Sequence, residues 1–319
     1  MNLNEMVNTF IKFWTKTPIM IRSANYILVW FGAIVGIILG ASVTLALILS
    51  HRIENANYAP LFNQYFILFP IIYVLGSLIL FQGFWFEIGT ILKRLLSKEK
   101  YEWRRPRAVF FGGFLGGALY VILLSYLNNI SVWYAADFLV LFLPFSHGFA
   151  RLGCLNFGCC YGKVCSESHL LKVVYTHPQS EAVRNGSKKV PRYAVQLYEM
   201  ILCISLGIFL WFLLEKVSAG KIFACYLIGY GLIRFLLEFV RDNTHELRIG
   251  MLSVWQYMSL ACFMLGVIIL LGLKDAPPLI LTNKPLGINL CKYILIGIWN
   301  ASVIGITFSL YFRKAGQSL

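Results

Sequence analysis

Residues 24–50 read ANYILVWFGAIVGIILGASVTLALILS, a stretch without a charged side chain. A helix needs about 20 apolar residues to cross the hydrocarbon core of a bilayer, so this stretch predicts a transmembrane helix. Four other uncharged stretches are long enough to do the same, at 65–86, 108–127, 249–273 and 293–312. The chain is therefore predicted to be an all-α protein that crosses the membrane several times.

The composition excludes a soluble globular protein. Of 319 residues, 59% are hydrophobic and 13% are charged, whereas soluble domains have roughly 45–50% apolar and 25% charged residues. The net charge is +14, which in a membrane protein marks orientation and contact with anionic headgroups. No nucleic-acid motif is present, so we expect no nucleic-acid partner.

Three further predicted spans, at 131–153, 194–214 and 222–240, contain ionisable side chains. These residues are Asp137, His147, Arg151, Glu199, Arg234 and Glu238. Ionisable groups at membrane depth cost several kcal/mol and usually face a partner or a wet cavity. Their concentration on three successive spans predicts a functional site.

The domain organisation follows from these eight spans. Residues 1–23 are predicted to form an interfacial N-terminal helix, and 24–272 a transmembrane domain. The long polar segment at 162–192, which we call the cap, is predicted to be a small extramembrane insert in that domain. Residues 273–319 hold a loop and one more transmembrane helix.

The cap side of this topology carries 20 of the 28 basic residues, the opposite side carries six, and Arg151 and Arg234 lie within the membrane. Taken alone, this asymmetry predicts a cytoplasmic cap, because cytoplasmic loops are enriched in lysine and arginine.

The densest chemical signal is the run ARLGCLNFGCCYGK at 150–163. An arginine at the end of a span, followed by glycines that open the backbone, can present a cation and free amides to an anion such as phosphate. The nearest such anion for a membrane protein is a lipid headgroup.

This run resembles the signature segment of the bacterial prolipoprotein diacylglyceryl transferases. Arg151, Gly153, Gly158 and Gly162 match that pattern. Cys154 stands where the family has asparagine.

Cys159 stands where the family has glutamate.

Further segments match in family order. FFGGFLG at 110–116 resembles a histidine-glycine-glycine helix, with Phe111 in place of the histidine, and QLYE at 196–199 and YGLIRFLLEFVR at 230–241 match closely. Gly250 to Ser253 with Gln256 resembles the last family helix.

The resemblance implies a seven-helix bundle of this family plus one added C-terminal transmembrane helix, in the bacterial cytoplasmic membrane. It implies transfer of a diacylglyceryl group from phosphatidylglycerol to a prolipoprotein cysteine thiol, with release of glycerol phosphate. It also places the cap outside the cytoplasm, against the count of basic residues, and we favour the family orientation.

Site roles follow from the resemblance together with side-chain chemistry. Arg151 and Arg234 are expected to hold the lipid phosphate, because guanidinium groups bind phosphate oxygens bidentately. Glu238, four residues after Arg234, is expected to orient it. With the family histidine replaced, His147, four residues before Arg151, is the candidate base.

The residues expected to contact lipid or phosphate form a larger set. They are Arg151, Arg234, Gly153, Gly158, Gly162, Gly112, Gly113, Gln196, Tyr198, Glu199 and Gln256. For Gly112 and Gly113 close helix packing is the alternative interpretation, and we favour it.

Cys154, Cys159, Cys160 and Cys165 form a sequence cluster with spacings of five, one and five. No zinc-site spacing of two cysteine pairs is present, so no metal and no cofactor is expected. The cluster is either structural or has a thiol role. Three other functions therefore stay open: the same lipid donor with a different acceptor, a thiol-redox membrane protein, and a transporter of anions or lipids.

Overall fold

A computed structural model of the chain describes residues 3–22, 27–54, 58–77, 110–242, 248–283 and 290–316. The basic loop at 93–107, the end of the second predicted span and the side chain of Phe111 lie outside the described residues.

Eleven helices occur in the described part of the chain. They are α1 (Leu3–Thr15), α2 (Trp30–Ser50), α3 (Tyr58–Leu75), α4 (Phe110–Leu127), α5 (Val132–Val140), α6 (Leu143–Phe157), α7 (Glu181–Arg184), α8 (Val195–Leu213), α9 (Lys221–Val240), α10 (Val254–Gly272) and α11 (Leu290–Gly316). Short antiparallel strands pair as β1 (Ile19–Arg22) with β2 (Ile27–Val29), β3 (Lys172–Val174) with β4 (Pro191–Tyr193), and β5 (Arg248–Ile249) with β6 (Leu252–Ser253).

Six of the described helices, α2, α3, α8, α9, α10 and α11, are long and apolar enough to cross a membrane. Helices α5 and α6, bent by 40° at a short break, are a seventh candidate as a broken span or a re-entrant loop. The described apolar part of α4 is shorter. Each predicted span falls on one of these elements, and the prediction of an all-α polytopic membrane protein is confirmed.

Several predicted boundaries were wrong. Helix α2 begins at Trp30 rather than at Ala24, because Ile27–Val29 pairs with β1. The span predicted at 131–153 breaks before Leu143, and Pro144 follows in the first turn of α6, where proline is tolerated. The division into domains stays a prediction.

The connecting segments gather at two ends of the bundle. At one end Ile53 pairs with Leu281, and Ser218 pairs with Pro278. At the other end Gly162 of the cap pairs with Arg241, directly after α9. This alternation agrees with the predicted course of the chain, in which the cap and the loop after α9 share one side.

Glycines set the closest helix contacts. A Cβ at Gly40 of α2 would lie 2.6 Å from the carbonyl oxygen of Gly297 in α11. In the same way, a Cβ at Gly113 of α4 would lie 2.5 Å from the Tyr73 ring of α3. Such contacts are typical of membrane helices, where small residues let two backbones approach.

The buried carboxylate of Asp137 has a structural role at the end opposite the cap. Its two oxygens accept hydrogen bonds from the backbone N–H groups of Gly220 at 2.7 Å and Phe223 at 2.8 Å. It therefore caps the N-terminus of α9, where unsatisfied N–H groups and the helix dipole favour an anion.

The cap has a small apolar core of its own. Val173, Tyr175 and Ala182 pack there with Leu155 of α6 and Ile11 of α1. The Asn156 side chain donates hydrogen bonds to the carbonyl oxygens of Trp14 and Thr17, which fixes the end of α1 against α6. An interfacial role for residues 1–23 stays a prediction.

Candidate active site

The ionisable side chains of the predicted site lie near the cap end of the bundle. Arg151 is six residues before the end of α6, Glu199 is four residues after the start of α8, and Arg234 is six residues before the end of α9. At a rise of 1.5 Å per residue, they lie about 6–9 Å from their helix ends. The site is thus one to two helical turns below the cap.

Arg151 is the centre of the first group. Its Nη2 donates to Glu199 Oε1 at 2.5 Å and lies 2.7 Å from His147 Nε2. Its Nη1 lies 3.7 Å from the sulfur of Cys154. The Arg151 and Glu199 side chains are only 12% and 1% exposed, so this is a buried ion pair held between two spans.

The contact with Arg151 determines the role of His147. A guanidinium has donors and no acceptor, so His147 Nε2 accepts this hydrogen bond and its ring proton is assigned to Nδ1. His147 is therefore neutral here, and it orients Arg151. The Tyr230 ring packs 5.0 Å from the His147 ring, and its hydroxyl donates to Glu199 Oε1 at 3.5 Å.

Arg234 is the centre of the second group. Its Nη2 pairs with Glu238 Oε2 at 2.8 Å, one turn along α9, as the four-residue spacing predicted. The Ser253 hydroxyl donates to Glu238 Oε1 at 3.1 Å. Ser253 also forms a capping box with Gln256 at the start of α10, so Gln256 positions a partner of Glu238.

The two groups form one charged cluster. The charges of Arg151, Arg234 and Arg241 act on Glu199, and the charge of Glu238 acts on Arg241. Among the residues that the structure describes, no carboxylate forms an ion pair with Arg241. Among the described side chains of this cluster, three arginines therefore face two glutamates.

Three of the four clustered cysteines meet beside this site. The sulfur atoms of Cys154, Cys159 and Cys160 all lie within 4.8 Å of one another, and Cys165 does not join them. Hydrogen bonds from the Cys154 and Cys159 thiols, followed by the charges of Arg241 and Arg151, lower the pKa of Cys160 well below its usual range.

The glycines of the signature segment have backbone or packing reasons to be glycine. Gly158 ends α6 with a φ of 78°, in the left-handed region. A Cβ at Gly153 would lie 3.2 Å from the Phe31 ring, and one at Gly162 would lie 2.6 Å from Tyr193 Cβ. A lipid role for these three stays a prediction.

The other predicted lipid contacts have close neighbours within the protein. Gln196 is buried and donates to the carbonyl oxygen of Cys159 at 2.5 Å, so it supports the signature segment. Tyr198 instead lies 3.5 Å from His169 in the cap. A Cβ at Gly76 would lie 2.5 Å from the carbonyl oxygen of Gly112, which favours the packing interpretation of α4.

The sequence analysis did not select Tyr230, Ser253 or Arg241 as site residues. Tyr230 lies four residues before Arg234 on the same helix face, and Ser253 begins a serine-x-x-glutamine capping signal. These patterns could have identified both residues. Arg241 carries no such signal, because a basic residue just outside a span is also the common mark of a membrane boundary.

Comparison with known families gives this geometry a context. The family model described as "Prolipoprotein diacylglyceryl transferase" matches residues 18–272. The chain belongs to this family. Helices α2 to α10 lie within the matched range, and α11 follows it.

Individual diacylglyceryl transferases align over part of the chain. A phosphatidylglycerol–prolipoprotein diacylglyceryl transferase 2 of Clostridium perfringens is 33% identical over 162 residues, which cover 50% of this chain and 60% of the relative. One of Clostridium tetani is 30% identical over 162 residues and 62% of its length. One of Actinobacillus pleuropneumoniae is 29% identical over 245 residues, 74% of this chain and 85% of the relative.

The first two alignments thus span about three fifths of those relatives. Together with the family match over residues 18–272, identities of about 30% make this chain a divergent member of the family. The protein is a multi-pass membrane protein of a family that resides in the bacterial inner membrane.

Proposed function

We propose that this protein transfers the diacylglyceryl group of phosphatidylglycerol to the cysteine thiol of a prolipoprotein and releases glycerol phosphate. One observation carries the proposal. Arg151 lies in a buried contact with Glu199 and His147, inside a charged cluster in which the described arginines outnumber the glutamates. Family membership supports the same conclusion.

The charge of the donor lipid fits the cluster. A phosphodiester carries one negative charge, and three arginines of the cluster are available to it against two glutamates. Arg151 and Arg234 are suited to its oxygens because a guanidinium donates two parallel hydrogen bonds in a fixed plane. Burial strengthens these electrostatic contacts, because the effective dielectric constant inside a protein is lower than that of water.

The reaction needs a base as well as a cation. A sulfur–carbon bond to the glycerol backbone forms, the carbon–oxygen bond to phosphate breaks, and the thiol proton must go to an acceptor. When the phosphate takes over donors of Arg151, His147 Nε2 and Glu199 Oε1 lose a hydrogen bond each and become free to accept that proton. This route gives His147 two successive roles, orienting Arg151 first and accepting the proton afterwards.

The identity of the acceptor is a separate question, because the sequence departs from the family at three positions. Phe111, Cys154 and Cys159 replace residues that the family carries in its signature segments. The alternative is therefore the same lipid donor with another acceptor.

A complementation experiment tests the proposal. The chain is expressed in a strain depleted of its own diacylglyceryl transferase, and growth and lipoprotein modification are measured. Rescue by wild type, failure of His147→Ala with retained lipid binding, and rescue by Asp275→Asn are expected. Asp275 is a matched control because its carboxylate is exposed and pairs with Lys221 at the opposite end.

If the protein is expressed and folded but fails to rescue, lipid analysis separates the two acceptors. Consumption of phosphatidylglycerol with a product other than lipoprotein supports the alternative. If phosphatidylglycerol is not consumed in that strain or by purified protein, the proposal is wrong.

The family orientation of the cap is part of this proposal. Lys188 is an exposed cap residue suited to a cysteine substitution. We expect Lys188→Cys to react with an impermeant thiol reagent in intact spheroplasts. Protection until the membrane is permeabilised would instead support the cytoplasmic orientation that the basic residues predict.

A further inference from the structure

Three thiols converge at the cap end of α6. Cys154 lies in the last turn of α6, and Gly158 reverses the chain so that its N–H and that of Cys159 both donate to the Cys154 carbonyl oxygen. Cys160 then adopts a φ of 59°. A left-handed conformation costs a non-glycine residue about 1–2 kcal/mol. The turn adopts this unfavourable conformation at Cys160, and the third sulfur thereby lies near the other two.

The three sulfur atoms have the spacing of a metal site. They lie within 4.8 Å of one another. Zinc–thiolate bonds are about 2.3 Å long, so three sulfurs around one ion are separated by roughly 4 Å. The sulfurs need to approach one another by less than about 1 Å to reach that separation.

The charges around the cluster favour such a complex. Arg151 Nη1 lies 3.7 Å from the Cys154 sulfur, and Arg241 interacts electrostatically with Cys160. Three thiolates around a divalent ion carry a net charge of −1, which the positive charges of Arg151 and Arg241 stabilise. Neighbouring groups that interact with the ligands in this way usually support a metal site.

We propose that Cys154, Cys159 and Cys160 bind one divalent thiophilic cation of the Zn²⁺ and Cd²⁺ class. Three metal–sulfur bonds form, and each ligand that is still a protonated thiol releases its proton to solvent. Regular spacing of cysteine pairs is not required, because the turn at Gly158 and Cys160 assembles the ligands. The sequence expectation of no metal rested on spacing alone.

Cd²⁺ is the probe, because its thiolate complexes absorb in the ultraviolet. The full-length protein is reduced, freed of metal in detergent and titrated with Cd²⁺. One high-affinity ion per chain is expected, with affinity at least tenfold lower in Cys154→Ser, Cys159→Ser and Cys160→Ser. Cys165→Ser is the matched control, since Cys165 lies five residues further on and outside the cluster; its affinity should be unchanged.

A second measurement uses the wild-type chain alone, so it does not depend on the folding of variants. Cysteine alkylation is followed by mass spectrometry with and without Cd²⁺. Protection of Cys154, Cys159 and Cys160 but not Cys165 supports the site. Equal alkylation in both samples, equal loss of affinity in Cys165→Ser, or a disulfide among the three in the protein as isolated would overturn it.

The same titration bears on regulation of the proposed transferase. Because the metal complex and the lipid phosphate would both use Arg151, bound Zn²⁺ should lower transfer, and Cys160→Ser should relieve that inhibition. This consequence rests on the proposed function. The Cd²⁺ titration needs no lipid and no activity, so failure of the metal site and failure of the transferase proposal are distinguishable.

Discussion

Arg151→Lys gives the sharpest test of the charged cluster. The substitution keeps the positive charge but removes the planar guanidinium, whose Nη2 contacts both Glu199 and His147. A lysine ammonium that stays paired with Glu199 gives up the directed contact with His147 and cannot grip a phosphate with two parallel bonds. The substitution therefore keeps the positive charge at this position and changes only the hydrogen-bond geometry.

The magnitude follows from the hydrogen bond to phosphate that lysine cannot make. A hydrogen bond that involves a charged group contributes about 1.5–3 kcal/mol. Removing one such bond to the phosphate in the transition state predicts a roughly 10- to 150-fold lower kcat/KM, at about 1.4 kcal/mol per tenfold. Unfolding temperature should fall little, because the buried charge keeps its carboxylate partner.

The assay uses purified protein, phosphatidylglycerol in mixed micelles and a cysteine-containing lipoprotein signal peptide, with product measured by mass spectrometry. Arg52→Lys is the matched control at the end opposite the cap, and its kcat/KM should stay within about twofold of wild type. A folded Arg151→Lys protein that keeps more than half of the wild-type kcat/KM would show that the guanidinium geometry has no part in the reaction.

Three other predictions address stability and thiol chemistry. Asp137→Asn should lower the free energy of unfolding by about 3 kcal/mol in detergent, because an amide can accept a hydrogen bond from only one of the two N–H groups and turns a donor toward the other. The control Asp275→Asn should leave this free energy unchanged. The same unchanged value for Asp137→Asn would contradict its role at the N-terminus of α9. Gly297→Ala should lower the free energy of unfolding by about 1–3 kcal/mol, because the added Cβ would collide with Thr44 Oγ1. Gly272→Ala is the control in thermal unfolding, since its added Cβ has nothing within 4 Å. In the metal-free protein, iodoacetamide should alkylate Cys160 faster than Cys165 at neutral pH, because the pKa of Cys160 is lowered and burial raises that of Cys165; the two rates should converge as pH rises, and faster labelling of Cys165 at pH 7 would refute it.

Hydropathy and charge were sufficient to predict which segments form spans, though not where each span ends, and which spans carry ionisable side chains. Residues such as Arg151, Glu199 and Arg234 stand out because an ionisable group in a span is expensive. The four-residue spacing also predicted the pair of Arg234 and Glu238, since helix geometry fixes which side chains are neighbours. These inferences needed only distances along one helix.

Contacts between helices were beyond the sequence. Nothing in the spacing of His147 and Arg151 shows that Nε2 accepts from the guanidinium, because the position of Glu199 on another helix determines where Arg151 points. The cysteines show the same limit. Spacings of five and one exclude a standard zinc motif, but a positive φ at Cys160 brings together sulfurs that a regular helix would separate.

The helix beyond the family match reaches the site through aromatic packing. Helix α11 packs along α2, and Phe308 of α11 lies 6.0 Å from the ring of Phe31 in α2. On its other side Phe31 lies 6.2 Å from the ring of Phe157, the last residue of α6, and also lies against Gly153. Because α6 carries Arg151 and begins the cysteine turn, α11 supports the site mechanically, although none of its described side chains adds a charge there. A helix that follows the matched range can thus influence the geometry of the site, by fixing the Phe31 ring that lies between α11 and α6.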